Sequence, residues 1–229
     1  MHTASQGNLA RRGFIMGVGA AGALALGGCT GLGGLGGFSM TEALKRLLTI
    51  SSQNAFAKLT APGGFWDSEV ARFALPDLFS GGGVLQSLLT STLFRSQLQR
   101  QLNVVAEKGA ERAAPIVLDT VRNISIPDAI GILRGGPTAA SSWLRGQMGT
   151  ALINAMVPGL ADAVRLSSDQ TLNRAITALS GIDIGTVAQS VAARADNSIW
   201  AQIGLEESAI RANPQSTNDA LLIGALKIL

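Results

Sequence analysis

Apolar residues recur at helical spacing along most of the chain. Leu44, Leu47, Leu48, Ala55 and Leu59 share one helical face, with Glu42, Lys45, Arg46 and Lys58 on the others. Ser39 or Thr41 supplies a cap for this helix, and Pro62-Gly63-Gly64 ends it. Residues 65–79 read as irregular, because Trp66 and Phe73 are interleaved with Asp67, Pro76 and Asp77 before Gly81-Gly82-Gly83. A second helical pattern starts at Val84 and uses Leu85, Leu88, Leu89, Leu93, Leu98 and Leu102. A third spans about 110–121 through Ala113, Ala114, Val117 and Leu118, with Pro115 as a kink or a start. Ser125-Ile126-Pro127-Asp128 predicts a short helix opened by a Ser125 hydroxyl cap, with Asp128 capping it or complementing its dipole, and stopped at Gly135-Gly136-Pro137. Thr138 opens the next, which carries Trp143, Leu144, Met148, Leu152 and Met156 up to Pro158-Gly159. Segments at 160–179, 185–210 and 216–228 complete the set. No alternating β-branched run and no fixed repeat interrupts them. The predicted class is all-α, a compact multi-helix bundle over residues 40–229.

The first 28 residues have a different character. A polar stretch ends in Arg11-Arg12, then a weakly apolar run of Gly and Ala leads to Leu26-Gly27-Gly28-Cys29. Charged region, short apolar region and small residues are the three parts of an export signal. The apolar run falls short of the roughly 20 residues that span a bilayer. Arg11-Arg12-Gly13-Phe14-Ile15 resembles a twin-arginine signal, with Arg11, Arg12 and Phe14 as its recognition residues; an ordinary Sec signal holding two arginines is the alternative. Leu26-Gly27-Gly28-Cys29 resembles the bacterial lipobox, which implies that Cys29 becomes a lipidated first residue. Five glycines in the eight residues after it make 29–39 a flexible tether.

That division changes the chemistry on offer. The whole chain of 229 residues has 18 basic and 15 acidic groups, a formal charge of +3, one Cys, one His and no Tyr. Loss of residues 1–28 removes His2, Arg11 and Arg12, leaving 16 basic against 15 acidic groups. Nucleic acid is therefore not an expected partner, since phosphate binding needs a concentrated basic face. A nucleophile–histidine dyad lacks its base, and a zinc site lacks imidazole and thiolate. No cofactor or metal is expected. Gly81-Gly82-Gly83 and Gly135-Gly136 lack the Lys-Ser/Thr of a phosphate-binding loop and read as a linker and a helix stop.

Four stretches add a resemblance. They are Ala57-Lys58-Leu59 through Pro62-Gly63-Gly64-Phe65 to Val70-Ala71-Arg72-Phe73-Ala74-Leu75-Pro76; Ala114-Pro115-Ile116-Val117-Leu118-Asp119-Thr120-Val121-Arg122; residues 128–140, Asp-Ala-Ile-Gly-Ile-Leu-Arg-Gly-Gly-Pro-Thr-Ala-Ala; and Glu206-Glu207 with Ile210-Arg211 and Asn213-Pro214. In that order they resemble the DUF4197 proteins, a bacterial family of unknown function. The resemblance implies a helical, exported, often lipid-anchored protein with no assigned activity.

The candidate interaction residues are Phe65, Trp66, Glu206, Glu207 and Arg211. Phe65 and Trp66 lie in a loop beside Gly63-Gly64, where bulky aromatics either close over the core or anchor an interface or headgroup layer. Glu206-Glu207 is the one adjacent acid pair, but helical neighbours point about 100° apart and do not share a proton readily. Glu207 and Arg211 are spaced i,i+4 in the favourable order, which reads as a surface ion pair. Trp143, Met148, Leu152 and Met156 are core by default, or the lining of an apolar pocket. Three functions remain in view. The first is a non-enzymatic envelope lipoprotein that binds or assembles partners, held to the membrane through Cys29 and facing the periplasm. The second is a carrier of a lipid or other apolar ligand, and the third, least favoured, is a carboxylate-based enzyme. Thr30, standing where Asp would suggest inner-membrane retention, favours the outer membrane.

Overall fold

Side-chain caps set most of the helix starts. A computed structural model describes residues 39–80, 84–179 and 181–229. The expectations placed on Arg11, Arg12, Phe14 and Cys29 lie outside the described residues. Helix α1 (Met40–Leu59) is capped by the Ser39 hydroxyl, which accepts the Glu42 N–H at 3.2 Å. Carboxylates do the same work for α7 (Gln170–Ala178), α8 (Ile184–Ala212) and α9 (Ala220–Ile228), through Asp169, Asp183 and Asp219. The short α4 (Ala129–Leu133) is capped by Asp128 itself and not by Ser125.

Several predicted boundaries move, each for a physical reason. The second and third patterns are a six-residue α2 (Val84–Leu89) and a single 32-residue α3 (Thr92–Asn123), split by the Ser91 cap. Pro115 sits inside α3, and Pro158 inside α6 (Ala151–Arg165). Both prolines are exposed, as are Glu111 and Asn154, whose carbonyls lose an N–H partner. Their exposure leaves those carbonyls open to solvent, which lowers the cost of a proline inside each helix. The break comes instead at Gly149, whose φ of +53° ends α5 (Ala139–Met148) in a conformation that suits glycine.

The long helices α1, α3, α6 and α8 form a closed four-helix core: α1 packs on α3 and α8, and α6 packs on the same two. Around it α4 and α9 lie on α1, α5 on α8, and α2 and α7 on α3. Met148, Leu152 and Met156 are buried in this core, with Trp143 half-buried at its edge. No strand occurs among the described residues, and no described helix is long and apolar enough to cross a membrane.

Candidate interaction site

The chain between α1 and the 3-10 turn Asp77–Ser80 has no regular helix, yet it is fastened at many points. Gly63 takes a φ of +81°, and a Cβ on Gly64 would stand 2.2 Å from the Lys58 carbonyl oxygen. This tight turn drives Phe65 fully into the core, edge-on to Phe73 with ring centroids 6.2 Å apart. Phe65 is therefore a core residue and not an interaction residue. Its neighbour Trp66 is half-buried and faces two guanidinium groups: Arg72 Cζ lies 5.0 Å and Arg100 Cζ 5.9 Å from the ring centroid. Arg72 Nε also donates to the Trp66 carbonyl. Both arginines are exposed, and neither has an acidic partner among the described residues. Val70, 42% exposed, lies in the same loop.

Buried polar side chains hold this loop from below. Glu107 accepts the Gly63 N–H at 3.0 Å; burial pushes its carboxyl above the usual carboxylate range, and the Gly63 bond only partly opposes that. Asn103, wholly buried, accepts the Phe73 N–H at 3.2 Å and donates to the Phe73 carbonyl at 3.1 Å. Ser68 donates to Gln202 at 3.2 Å. Gln202 Nε2 in turn donates to Glu206 Oε1 at 2.7 Å, and Lys58 Nζ donates to the same oxygen at 2.6 Å. Of the residues singled out in the sequence, the fold thus brings Phe65, Trp66 and Glu206 into one assembly.

Glu207 belongs to another. Its carboxylate is wholly buried, and Arg211 is only 12% exposed, so the predicted surface ion pair is a buried one. Two helices lie against its ends. Thr138 makes no side-chain cap for α5, and Glu207 replaces it, accepting the N–H groups of Ala140 and Ser141 at 2.9 and 2.7 Å. Arg211 donates to Glu207 at 2.8 Å and to the Leu133 and Ile132 carbonyls at 2.6 and 3.3 Å. The anion meets the positive end of α5 and the cation meets the carbonyl end of α4, so one pair on α8 clamps the whole α4–α5 turn. The two adjacent glutamates point to different neighbours, Glu206 to α1 and Glu207 to α5, and share no site.

Sequence reading missed a third cluster. Asp196, 4% exposed, accepts from Arg145 Nη2 at 2.7 Å and from the Trp200 indole N–H at 3.0 Å. Burial pushes its carboxyl above the usual range, against the pull of Arg145. Polar residues at Asp196, Gln202, Glu206 and Glu207 on a helix whose Ala195, Ile199 and Ile203 are buried were the available signal. Among the described residues no three His, Cys, Asp or Glu side chains are grouped to hold a metal ion. In all three clusters the carboxylates are engaged by cations or N–H groups, which suits holding surfaces in place.

A family model described as "Protein of unknown function (DUF4197)" matches residues 34–225. No curated protein and no solved structure matches the chain.

Proposed function

The chain belongs to the DUF4197 family of proteins of unknown function, and on that premise we propose that it is a lipid-anchored, periplasm-facing envelope protein that docks an acidic surface of a partner protein and performs no catalysis. The observation that carries this reading is Trp66 set between two guanidinium groups that lack carboxylate partners among the described residues, on a loop fastened by Glu107, Asn103 and Gln202. Trp and Arg are the side chains enriched at interface hot spots, and a surface held rigid before binding loses less entropy on docking. Uncompensated guanidinium groups select carboxylates on the partner.

Anchoring is consistent with that role. Residues 29–39 precede α1, and the 20 residues of α1 span about 30 Å. The docking loop follows the C-terminal end of α1. The outer membrane is the favoured site, because of Thr30. The carrier reading has less support: Met148, Leu152 and Met156, its candidate pocket lining, lie in the packed core.

Two experiments test the reading. A photo-crosslinking residue at Val70 is expected to trap a protein in intact cells, with Trp66→Ala and Arg100→Glu each abolishing the adduct. An unchanged adduct in both variants refutes the docking surface. Cys29→Ser is expected to move the protein from membrane to soluble fractions; continued membrane association refutes the anchor.

A further inference from the structure

A cleft of about 250 Å³ opens between the start of α5 and the middle of α8. Gly204 lets α8 approach the start of α5 closely at this cleft, because a Cβ there would stand 3.1 Å from Thr138 Cγ2 and 3.5 Å from Ser141 Oγ. Arg145 is the one charged residue among its lining residues, and no carboxylate lines it. The Arg145 side chain is 42% exposed, but its Nη2 is fixed from below by Asp196 and by Asn197. The second oxygen of Asp196 is taken by the Trp200 indole, so this carboxylate is spent on orienting the guanidinium. Nε and Nη1 of Arg145 have no hydrogen-bond partner among the described residues, and neither do the hydroxyls of Thr138 and Ser142 at the cleft. A buried carboxylate is costly to desolvate, and here it serves to hold a cation against an acid-free cleft.

We propose that this cleft binds a small organic anion of about monosaccharide size, with Arg145 meeting the anionic oxygens and Thr138 and Ser142 orienting the ligand through their hydroxyls. The size follows from the volume, which is below the roughly 300–1,000 Å³ of sites for drug-sized ligands. The α5 N–H groups do not contribute, since Glu207 already occupies those of Ala140 and Ser141. The site is separate from the Trp66 surface and does not rest on the docking proposal.

The test is a titration of the full chain with glucuronate, inorganic phosphate, glucose and sodium chloride, followed by the amide signals of Ser141, Ser142 and Asn197 and the Nε–H signal of Arg145. Glucuronate or phosphate is expected to shift these signals saturably with a Kd on the order of millimolar, and the stronger of the two identifies carboxylate or phosphate as the preferred group. Glucose is expected to bind at least about tenfold more weakly, by loss of a charge-assisted contact. Arg145→Gln and Ser142→Leu are each expected to weaken binding by about tenfold or more. Ser142→Leu leaves the Arg145–Asp196 pair intact and so separates lost binding from lost folding. Absence of a saturable shift with either anion, equal shifts with glucose or chloride, or binding retained in both variants overturns the proposal.

Discussion

Removal of the Glu207 carboxylate is the most demanding test of the α8 clamp. In Glu207→Ala three interactions vanish together: the N–H groups of Ala140 and Ser141 lose their acceptor, and Arg211 keeps only two carbonyls. Breaking a buried ion pair on one side costs about 3–5 kcal/mol, and the unpaired N–H groups fall within that figure because they share the same carboxylate. Against a typical domain stability of about 5–15 kcal/mol, this is a large fraction. Glu207→Gln keeps the shape, but its oxygen replaces one carboxylate oxygen only, and its NH₂ then confronts an N–H donor; about 2–3 kcal/mol is expected. Arg122–Asp119 provides the contrast, an i,i+3 pair with side chains 68% and 61% exposed, where Asp119→Ala should stay within about 0.5 kcal/mol. Urea unfolding followed by far-UV circular dichroism measures all three, and amide exchange at Ala140 and Ser141 should accelerate in Glu207→Gln. A loss below about 1 kcal/mol for Glu207→Ala, or one no larger than that of Asp119→Ala, would refute the clamp.

Other consequences follow from the same packing. Glu107 has its carboxyl raised above the ordinary 4.5, so its contribution to stability is fully present below that value and is lost as pH rises through the raised one. Glu107→Gln, which can still accept the Gly63 N–H, is expected to gain melting temperature relative to the native protein at pH 7.5, with the gain shrinking towards pH 4; a difference independent of pH counts against it. Gly64→Ala places a Cβ 2.2 Å from the Lys58 carbonyl oxygen, a clash no rotamer relieves, and should cost about 1–3 kcal/mol and displace Trp66. An unchanged melting temperature would show that the turn is loose. Pro158→Ala restores an N–H to the exposed Asn154 carbonyl and should stabilise by up to about 2 kcal/mol, after the gain in unfolded-chain entropy offsets part of the benefit; thermal unfolding of the variant shows whether it does.

Sequence periodicity was sufficient for what is local. The all-α class, the start of α1 at Ser39, nearly the whole of α8 and the irregular run between Phe65 and Phe79 were all legible, because a 3.6-residue period and a capping side chain act within one or two turns. Pro158 misled, because a proline is better tolerated inside a helix where its freed carbonyl stays open to solvent, and exposure is not a local property; Pro115, read as a kink or a start, does lie inside α3. The same limit applies to the site. Phe65 and Trp66 are adjacent and chemically alike, yet one is core and the other surface, as decided by the turn at Gly63-Gly64 and by Asn103, 30 residues from the Phe73 it holds.

The i,i+4 spacing of Glu207 and Arg211 was visible in the chain itself, and it established that the two would meet. Whether the pair would be worth little at the surface or much inside depended on α4 and α5, which present their N–H groups and carbonyls from 66 to 79 residues away. Tertiary structure decided that question, because the strength of a charge pair depends on the water its neighbours exclude and the polar groups they supply.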